Sequence, residues 1–232
     1  MNNNFFVKLK RSSHSFIHNI AASKIHRSLI KKFAIKLGMI YFGPVDQNID
    51  EHRFLRGFTV SPTHKDNHYS VGSVEDYDVA IVDRNDVIIK PDGDTYVRGW
   101  LIMSFDLHTE RDVPHMFINA NNDNNSAYDL LFSTNPSLLE ISLGTFEQYD
   151  PEFTRRFKIY SAPTDSIEVE KLLPAASARV LGVHLWPYSV EVCDNVLYVY
   201  SSDKNVTANT LKTMLLCGIW LAKNIDSLIE SI

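Results

Sequence analysis

The sequence predicts an α+β protein with a mainly antiparallel sheet. Three features indicate this class. Short runs of alternating apolar and polar residues, separated by turn signals, recur between positions 53 and 120, which is typical of strands connected by hairpins. A strand, two short helices and a hairpin are predicted within Phe153–Tyr200. The periodicity of the apolar residues also predicts a basic amphipathic helix near the N-terminus and a long helix at the C-terminus.

The composition is that of an ordinary globular protein whose N-terminal segment is basic. The 232 residues are 44% hydrophobic and 22% charged, so a sizeable core is expected. Eight of the 23 Lys and Arg residues precede position 37, where there is no acidic residue, and this leaves 15 basic against all 28 acidic residues in the rest of the chain. The two cysteines show no metal-type spacing, and they favour a reducing compartment.

The basic segment is predicted to form an N-terminal arm over residues 1–44, followed by a single α+β domain over 45–232 with a sub-boundary near 145. Apolar residues between Ser15 and Tyr41 recur mostly at every fourth position, and the helix they predict ends at Gly38 or at Gly43-Pro44. The basic residues predicted to bind an anionic surface are Lys24, Arg27, Lys31, Lys32 and Lys36.

Several roles are open for this arm. Its apolar stripe can pack on the domain, or it can attach peripherally to an anionic membrane, bind a partner or act as a targeting segment. Nucleic acid is the least favoured partner, because only two of the eight basic residues are Arg and no aromatic residues are interleaved with them. The sequence contains no signal-peptide pattern and no apolar run of roughly 18 residues, so no transmembrane helix is predicted.

The segment after the arm is predicted to be rich in strands. A turn is predicted over His64–His68, another over Asp83–Asp86, and a third over Lys90–Asp94, where Asp-Gly is a strong turn signal. In the clearest strand, Val97–Leu107, apolar and polar side chains alternate. The other predicted extended segments are 54–60, 69–74, 77–83, 87–89 and 116–118.

The C-terminal third has the densest periodic signal. A strand over Arg156–Ser161 is followed by a short helix, with Asp165 and Glu168 spaced as in a capping box. After a second short helix, a hairpin is predicted across Asp194-Asn195, since both residues tolerate the left-handed backbone of a tight turn. Thr207 is predicted to cap the long terminal helix.

No established catalytic or phosphate-binding motif occurs in the sequence, so catalytic residues are unknown and neither a cofactor nor a metal is predicted. Two polar clusters are the candidates for an enzymatic site. In both clusters a solvated loop is favoured over a metal or catalytic site, because a third ligand or a base would have to come from elsewhere in the fold. The clusters consist of His64, Asp66, His68, Glu75, Asp76 and Asp78, and of His108, Glu110, Asp112 and His115.

Two further groups of residues could carry chemistry. Cys193 with His184 would make a nucleophile and base, but a buried structural thiol is favoured. Arg155-Arg156 would bind phosphate, but pairing with neighbouring Glu152 or Glu147 is favoured.

The segment that begins RRFKIYSAPTDSIEVEKLLP, with the later VEVCDNVLYVYS and the terminal helix, resembles the C-terminal part of a bacterial domain-of-unknown-function family. The resemblance covers roughly a third of the chain and implies a membrane-associated protein, with no activity to transfer. The matching residues are Phe157, Ile159, Tyr160, Ser161, Glu168, Leu172, Leu173, Pro174, Leu197, Tyr198 and Val199.

The sequence therefore favours a non-catalytic binding or scaffold module that is soluble and cytoplasmic. Its expected partners are a protein or an anionic membrane surface, which would place it at the inner membrane face, attached through the N-terminal helix. The alternative is an enzyme that uses the polar cluster at 64–78 or the one at 108–115.

Overall fold

The computed structural model describes residues 28–45, 64–89, 95–121, 136–202 and 206–231. The strands are β1 (Ile40–Val45), β2 (His64–Val74), β3 (Tyr77–Ile89), β4 (Thr95–Asp106), β5 (Met116–Ala120), β6 (Leu139–Ile141), β7 (Phe157–Ser161), β8 (Ser189–Cys193) and β9 (Val196–Ser201). The helices are α1 (28–36), α2 (Pro151–Arg156), a 3-10 turn (Pro163–Asp165), α3 (Ser166–Leu172), α4 (Ala175–His184) and α5 (Ala208–Ser231).

The described strands form one nine-stranded sheet in the order β1-β2-β3-β4-β9-β8-β5-β7-β6. Every neighbouring pair is antiparallel. The predicted α+β class with a mainly antiparallel sheet is confirmed, and so is the long C-terminal helix. The half of the sheet that runs from β1 to β4 consists of strands that follow one another in the chain. In the other half β8 and β9 form a hairpin, whereas the pairs β4–β9, β5–β8 and β5–β7 join strands that are distant in sequence.

One face of the sheet carries the main hydrophobic core. Side chains that alternate along β4, such as Met103 and Phe105, point into this core and are fully buried. The terminal helix α5 lies against β4 and β9 and contributes Leu211, Met214 and Ile225 to the same core. The helices therefore cover a single face, as the amphipathic pattern of α5 requires.

The opposite face carries a second, aromatic cluster. Trp100, Phe117, Tyr198 and Tyr200 are its large members, and each is at most 4% exposed. They occupy the alternate positions of β4, β5 and β9, because successive side chains of a strand point to opposite faces. Both faces of the sheet are thus occupied by packed side chains.

The N-terminal helix is part of the main core where the structure describes it. Ile30 and Ala34 of α1 are completely buried there. The helix ends before Gly38, whose φ of +76° is a left-handed conformation that glycine adopts without steric cost. The chain then enters β1, so of the two predicted ends Gly38 is correct, and the extension of the helix to Tyr41 and Gly43-Pro44 is wrong. Its start near Ser15 lies outside the described residues.

The division of the chain at residue 44 stays a prediction. Strand β1 pairs with β2, and this pairing brings Tyr41 opposite Ser70. The backbone of residues 40–45 therefore belongs to the sheet.

Two predicted turns are in fact strand. Asp83–Asp86 lies in the middle of the continuous strand β3, where Arg84 and Asp86 are buried. His64–His68 belongs to β2, and the irregularity there is a shift of register between Asn67 and Ser70, with His68 at φ 56°. The polar composition of these segments predicts turns, whereas in the structure Arg84 of one segment pairs with Asp66 of the other across β2 and β3.

The predicted elements of the C-terminal third are confirmed, with one exception. Asp194 and Asn195 have φ values of 51° and 59° and form the turn between β8 and β9. The Thr207 Oγ1 accepts a hydrogen bond from the Thr210 amide at 3.1 Å, which caps α5. The capping box at Asp165 is wrong, because its side chain makes no cap hydrogen bond.

Helix α5 is the longest helix among the described residues, and neither it nor any other helix in those ranges is both long and apolar enough to cross a membrane.

Candidate functional site

A groove with a volume of about 540 Å³ lies on the sheet face opposite the helices. It crosses the end of the sheet from β1 to β9, at the level of the β2–β3 turn. Its lining residues are Phe42, Tyr69, Val71, Gly72, Ser73, Asp78, Val79, Ala80, Ser104, Asp106 and Val196.

The groove exists because small side chains form its floor. Ala80 of β3 is paired directly with Ser104 of β4, and directly paired residues project to the same face of an antiparallel sheet. Larger side chains border this floor on the side of β1 and β2, where the rings of Phe42 and Tyr69 lie 5.8 Å apart. Phe42 is 54% exposed, so it offers apolar surface to a ligand at the rim.

Two carboxylates, Asp78 and Asp106, lie at one edge of the groove. Burial raises the pKa of Asp106, and the nearby charge of Asp78 raises it further. The described lining residues include no Lys or Arg. The electrostatics of the groove therefore favour an apolar ligand whose polar part is neutral or cationic over a phosphate or another anion.

A compact polar cluster lies next to this groove on the same face. The His115 Nε2 is 2.7 Å from the Glu191 Oε1, and the Tyr200 hydroxyl donates to the Glu191 Oε2 at 2.5 Å. Cys193 follows two residues after Glu191 on β8 and pairs with Val196, which lines the groove. We call His115, Glu191 and Cys193 the β5–β8 cluster.

The protonation of the β5–β8 cluster is set by its partners. Burial lowers the pKa of His115, but hydrogen bonds with Cys193 and Glu191 outweigh that effect and raise the pKa to about 10. His115 is therefore an imidazolium ion at neutral pH and forms an ion pair with the Glu191 carboxylate, which is 2% exposed. A backbone contact also holds the histidine, since the Ser161 Oγ donates to the His115 carbonyl at 2.7 Å.

The described residues of the predicted cluster at 64–78 do not form one site, because they contact different partners. Asp66 accepts two hydrogen bonds of 2.8 Å from Arg84, and His68 Nδ1 lies 2.8 Å from the Tyr41 hydroxyl. Glu75 pairs with Lys223 of α5 at the other side of the sheet. The side chain of His64 is outside the described part of the chain.

The predicted cluster at 108–115 is also divided. The ring of His108 stacks on Tyr77 at 4.3 Å and its Nε2 contacts the Asp76 carbonyl at 3.1 Å, whereas His115 belongs to the β5–β8 cluster. Glu110 and Asp112 are exposed. Among the described residues of the two predicted clusters, only Asp78 lines the groove, so the groove does not bring these residues together as a catalytic site would require.

The other singled-out residues have identifiable contacts. Arg155 and Arg156 both pair with Glu152, at 2.7 and 2.6 Å, which is the favoured interpretation of that dipeptide. Cys193 lies beside His115, whereas His184 lies in α4 across the sheet, where its carbonyl accepts from the Cys217 thiol at 3.8 Å.

The basic residues predicted to bind an anionic surface stay a prediction. Lys31, Lys32 and Lys36 of α1 are exposed, and the Lys31 Nζ lies 5.5 Å from the centre of the Tyr41 ring. Lys24 and Arg27 lie outside the described residues.

Sequence reasoning missed both the groove and the β5–β8 cluster. The pairing of His115 with Glu191 spans 76 positions, so no local spacing reveals it. The available signal was weak: Glu191 and Cys193 alternate with the apolar Val190 and Val192, which predicts a polar pair on one face of β8.

Neither protein-family models nor curated proteins match this sequence. Among solved structures, the chain is similar to the crystal structure of the mycobacterial trehalose monomycolate transport factor A, TtfA. The TM-score is 0.53 at 9% sequence identity, and the match covers 88% of this chain and 93% of that one. The likeness shows the fold alone. The resemblance to a bacterial domain family stays a prediction.

Proposed function

We propose that this protein is a non-catalytic binding module that holds an apolar or amphipathic ligand in the groove of its sheet. The groove itself is the observation that carries the proposal. Its volume of about 540 Å³ falls within the range of roughly 300 to 1,000 Å³ that is usual for small-molecule sites. The structural neighbour is named as a trehalose monomycolate transport factor, and the binding of an amphipathic ligand is in keeping with that name.

The groove also suggests which ligand chemistry to expect. Val71, Ala80 and Val196 supply an apolar floor and wall, and Asp78 and Asp106 supply the polar edge. A ligand with an apolar body and a hydroxylated or cationic end would satisfy both parts, because the carboxylates at the edge of the groove accept hydrogen bonds and attract cations.

The uncharged solvatochromic dye Nile red is a suitable probe for this groove. The wild-type protein is expected to bind it saturably with a blue-shifted emission, and Ser104→Trp is expected to abolish binding because the indole fills the groove. Phe42→Ala removes an exposed rim residue and is expected to weaken binding several-fold without affecting the fold. Ser227→Trp, on the exposed side of α5, is the matched control. Equal binding by wild type and Phe42→Ala, together with an unaffected and folded Ser104→Trp, would contradict the proposal.

We further propose that the basic side of α1 attaches the protein peripherally to an anionic membrane, at its cytoplasmic face. Two observations support this. Ile30 and Ala34 anchor α1 in the core, and Lys31, Lys32 and Lys36 are exposed on the same helix. Each basic residue near an anionic surface contributes about 1 kcal/mol of binding.

Co-sedimentation with liposomes tests the attachment. Because α1 is packed in the core, charge reversal in the full-length protein is a better test than truncation. Lys31→Glu, Lys32→Glu and Lys36→Glu together are expected to abolish binding to anionic liposomes, and wild type is not expected to bind neutral ones. The control reverses the charges of the exposed Lys65, Lys171 and Lys212. Equal pelleting of both triple variants would refute the role of α1.

A further inference from the structure

The β5–β8 cluster brings three different metal-ligating side chains together. One donor atom from each of His115, Glu191 and Cys193 lies within 4.8 Å of the other two. Glu191 and Cys193 lie in β8, and His115 immediately precedes β5, which pairs with β8 so that Met116 lies opposite Val192. His115 precedes Met116 and Cys193 follows Val192, so the antiparallel register brings the histidine and the cysteine opposite each other.

The surroundings hold these donors in position. The Glu191 carboxylate is 2% exposed and is fixed by the Tyr200 hydroxyl at 2.5 Å, while the Ser161 Oγ fixes the backbone of His115. Hydrogen bonds of this kind orient metal ligands, and their loss typically weakens metal binding by about 10 to 100-fold. Tyr200 and Ser161 thus form the supporting shell that a metal site needs.

We propose that His115, Glu191 and Cys193 bind one divalent transition-metal ion, and that zinc is the ion this donor set fits best. Imidazole, thiolate and carboxylate are the three side-chain donors that zinc uses, and the mixture of soft and hard atoms disfavours magnesium and calcium. The site goes beyond the proposed ligand-binding function, since none of its three ligands lines the groove.

Three protein ligands leave a fourth position for water. The side chain of His115 is 35% exposed and Cys193 is half-buried, so the ion has a path from solvent on this side of the cluster. Ligand atoms of a tetrahedral zinc ion lie about 3.3 to 3.8 Å apart, given bond lengths of roughly 2.0 to 2.3 Å. The 2.7 Å hydrogen bond between His115 and Glu191 must therefore open by under about 1 Å.

Metal binding releases protons from the side chains that ligate the ion. The ion replaces the proton that joins His115 to Glu191 and the thiol proton of Cys193, and both protons pass to water. No residue of the protein is oxidised or reduced in this exchange.

The test uses the full-length protein after treatment with a chelator. Calorimetric titration with zinc chloride is expected to show one equivalent bound. Cobalt chloride, added as a spectroscopic substitute, is expected to give the near-ultraviolet charge-transfer band of a cobalt–thiolate bond. His115→Ala is expected to weaken zinc binding at least tenfold, and Cys193→Ser is expected to remove the cobalt–thiolate band.

Cys217→Ser is the matched control, because it leaves Cys193 as the only thiol of the chain. This variant is expected to keep both the zinc affinity and the cobalt–thiolate band, and it assigns the band to Cys193 even if Cys193→Ser does not fold. Absence of the band from Cys217→Ser, or equal zinc affinity of wild type and His115→Ala, would overturn the proposal and leave the cluster as an ion pair with a neighbouring thiol.

Discussion

At the scale of single residues, Glu170 shows how one buried carboxylate holds a loop. It lies in α3 and accepts backbone hydrogen bonds from Gly144, Thr145 and Phe146, at 3.1, 3.1 and 2.9 Å. Burial raises the pKa of Glu170, but these hydrogen bonds outweigh burial and place the pKa below its usual range. The ionised carboxylate is therefore part of the folded structure of residues 144–146.

We expect Glu170→Gln to lower the free energy of unfolding at pH 7 by about 1 to 3 kcal/mol, because an amide nitrogen would then face a backbone donor. The depressed pKa stabilises the fold above the unfolded-state pKa of about 4.3, and that contribution disappears as the pH falls through the lower folded-state pKa. The difference between variant and wild type should thus shrink in acid. Urea unfolding at pH 7 and below pH 4 measures it.

Glu168→Gln is the control for this prediction, because Glu168 is exposed on the same helix. A loss of stability as large in Glu168→Gln as in Glu170→Gln would show that the hydrogen bonds to residues 144–146 are not the cause.

The pair between Asp66 and Arg84 is a second residue-scale feature. Arg84 is 2% exposed, and its Nε and Nη2 both donate to Asp66 at 2.8 Å, which joins β2 to β3. We expect Asp66→Ala to cost about 3 to 5 kcal/mol, since it leaves a buried guanidinium without this carboxylate. The exposed pair of Lys158 with Glu140 is the comparison: Glu140→Ala should cost at most about 1 kcal/mol. Chemical denaturation measures the free energy of unfolding of the two variants, and equal losses would contradict the prediction.

At the scale of elements, α5 packs closely on the sheet because it has a glycine at the contact. A Cβ on Gly218 would lie 2.2 Å from two ring atoms of Phe105, and the Phe105 ring is completely buried. Glycine inside a helix normally costs about 1 kcal/mol relative to alanine. Here the close approach of helix and strand offsets that cost.

Gly218→Ala should therefore destabilise the protein by about 1 to 3 kcal/mol, although alanine is the better helix former, because the added methyl group overpacks the core. Thermal unfolding monitored by circular dichroism measures the change. Ser227→Ala, at an exposed position of α5, should be neutral or slightly stabilising. An increase in the melting temperature of Gly218→Ala would show that the sheet and α5 separate easily.

At the scale of the whole molecule, α1 and the C-terminal helix share one core. Ile30 of α1 and Leu211 of α5 belong to the same hydrophobic cluster, although they lie near opposite ends of the chain. If the lysines of α1 bind a membrane, the folded sheet is held at that membrane with them. Only residues 37–39 separate α1 from β1.

Ile30→Ala tests whether α1 unfolds together with the rest of the protein. The side chain is completely buried, so its truncation should cost about 2 to 5 kcal/mol and shift a single unfolding transition of the whole protein. Ile35 is 58% exposed in the same helix, and Ile35→Ala should change stability by at most about 0.5 kcal/mol. Identical urea midpoints for both variants would show that α1 folds independently of the sheet.

Local patterns in the sequence determined most of the elements. The apolar stripe of α5, its Thr207 cap and the Asp194-Asn195 turn were predicted correctly, because periodicity, capping and turn chemistry act over a few residues. The same reasoning failed at Asp83–Asp86. Its four polar residues have the composition of a turn, yet Arg84 of this segment is buried and paired with Asp66 of β2.

Only the tertiary structure decided what lies on the second face of the sheet. The groove requires Ala80 and Ser104 side by side, and the β5–β8 cluster requires His115 beside Glu191, 76 positions away. The order and the register of the strands set these neighbours. Local patterns in the sequence therefore determined most of the strands and helices, whereas the candidate sites arise from pairing between strands that no local pattern encodes.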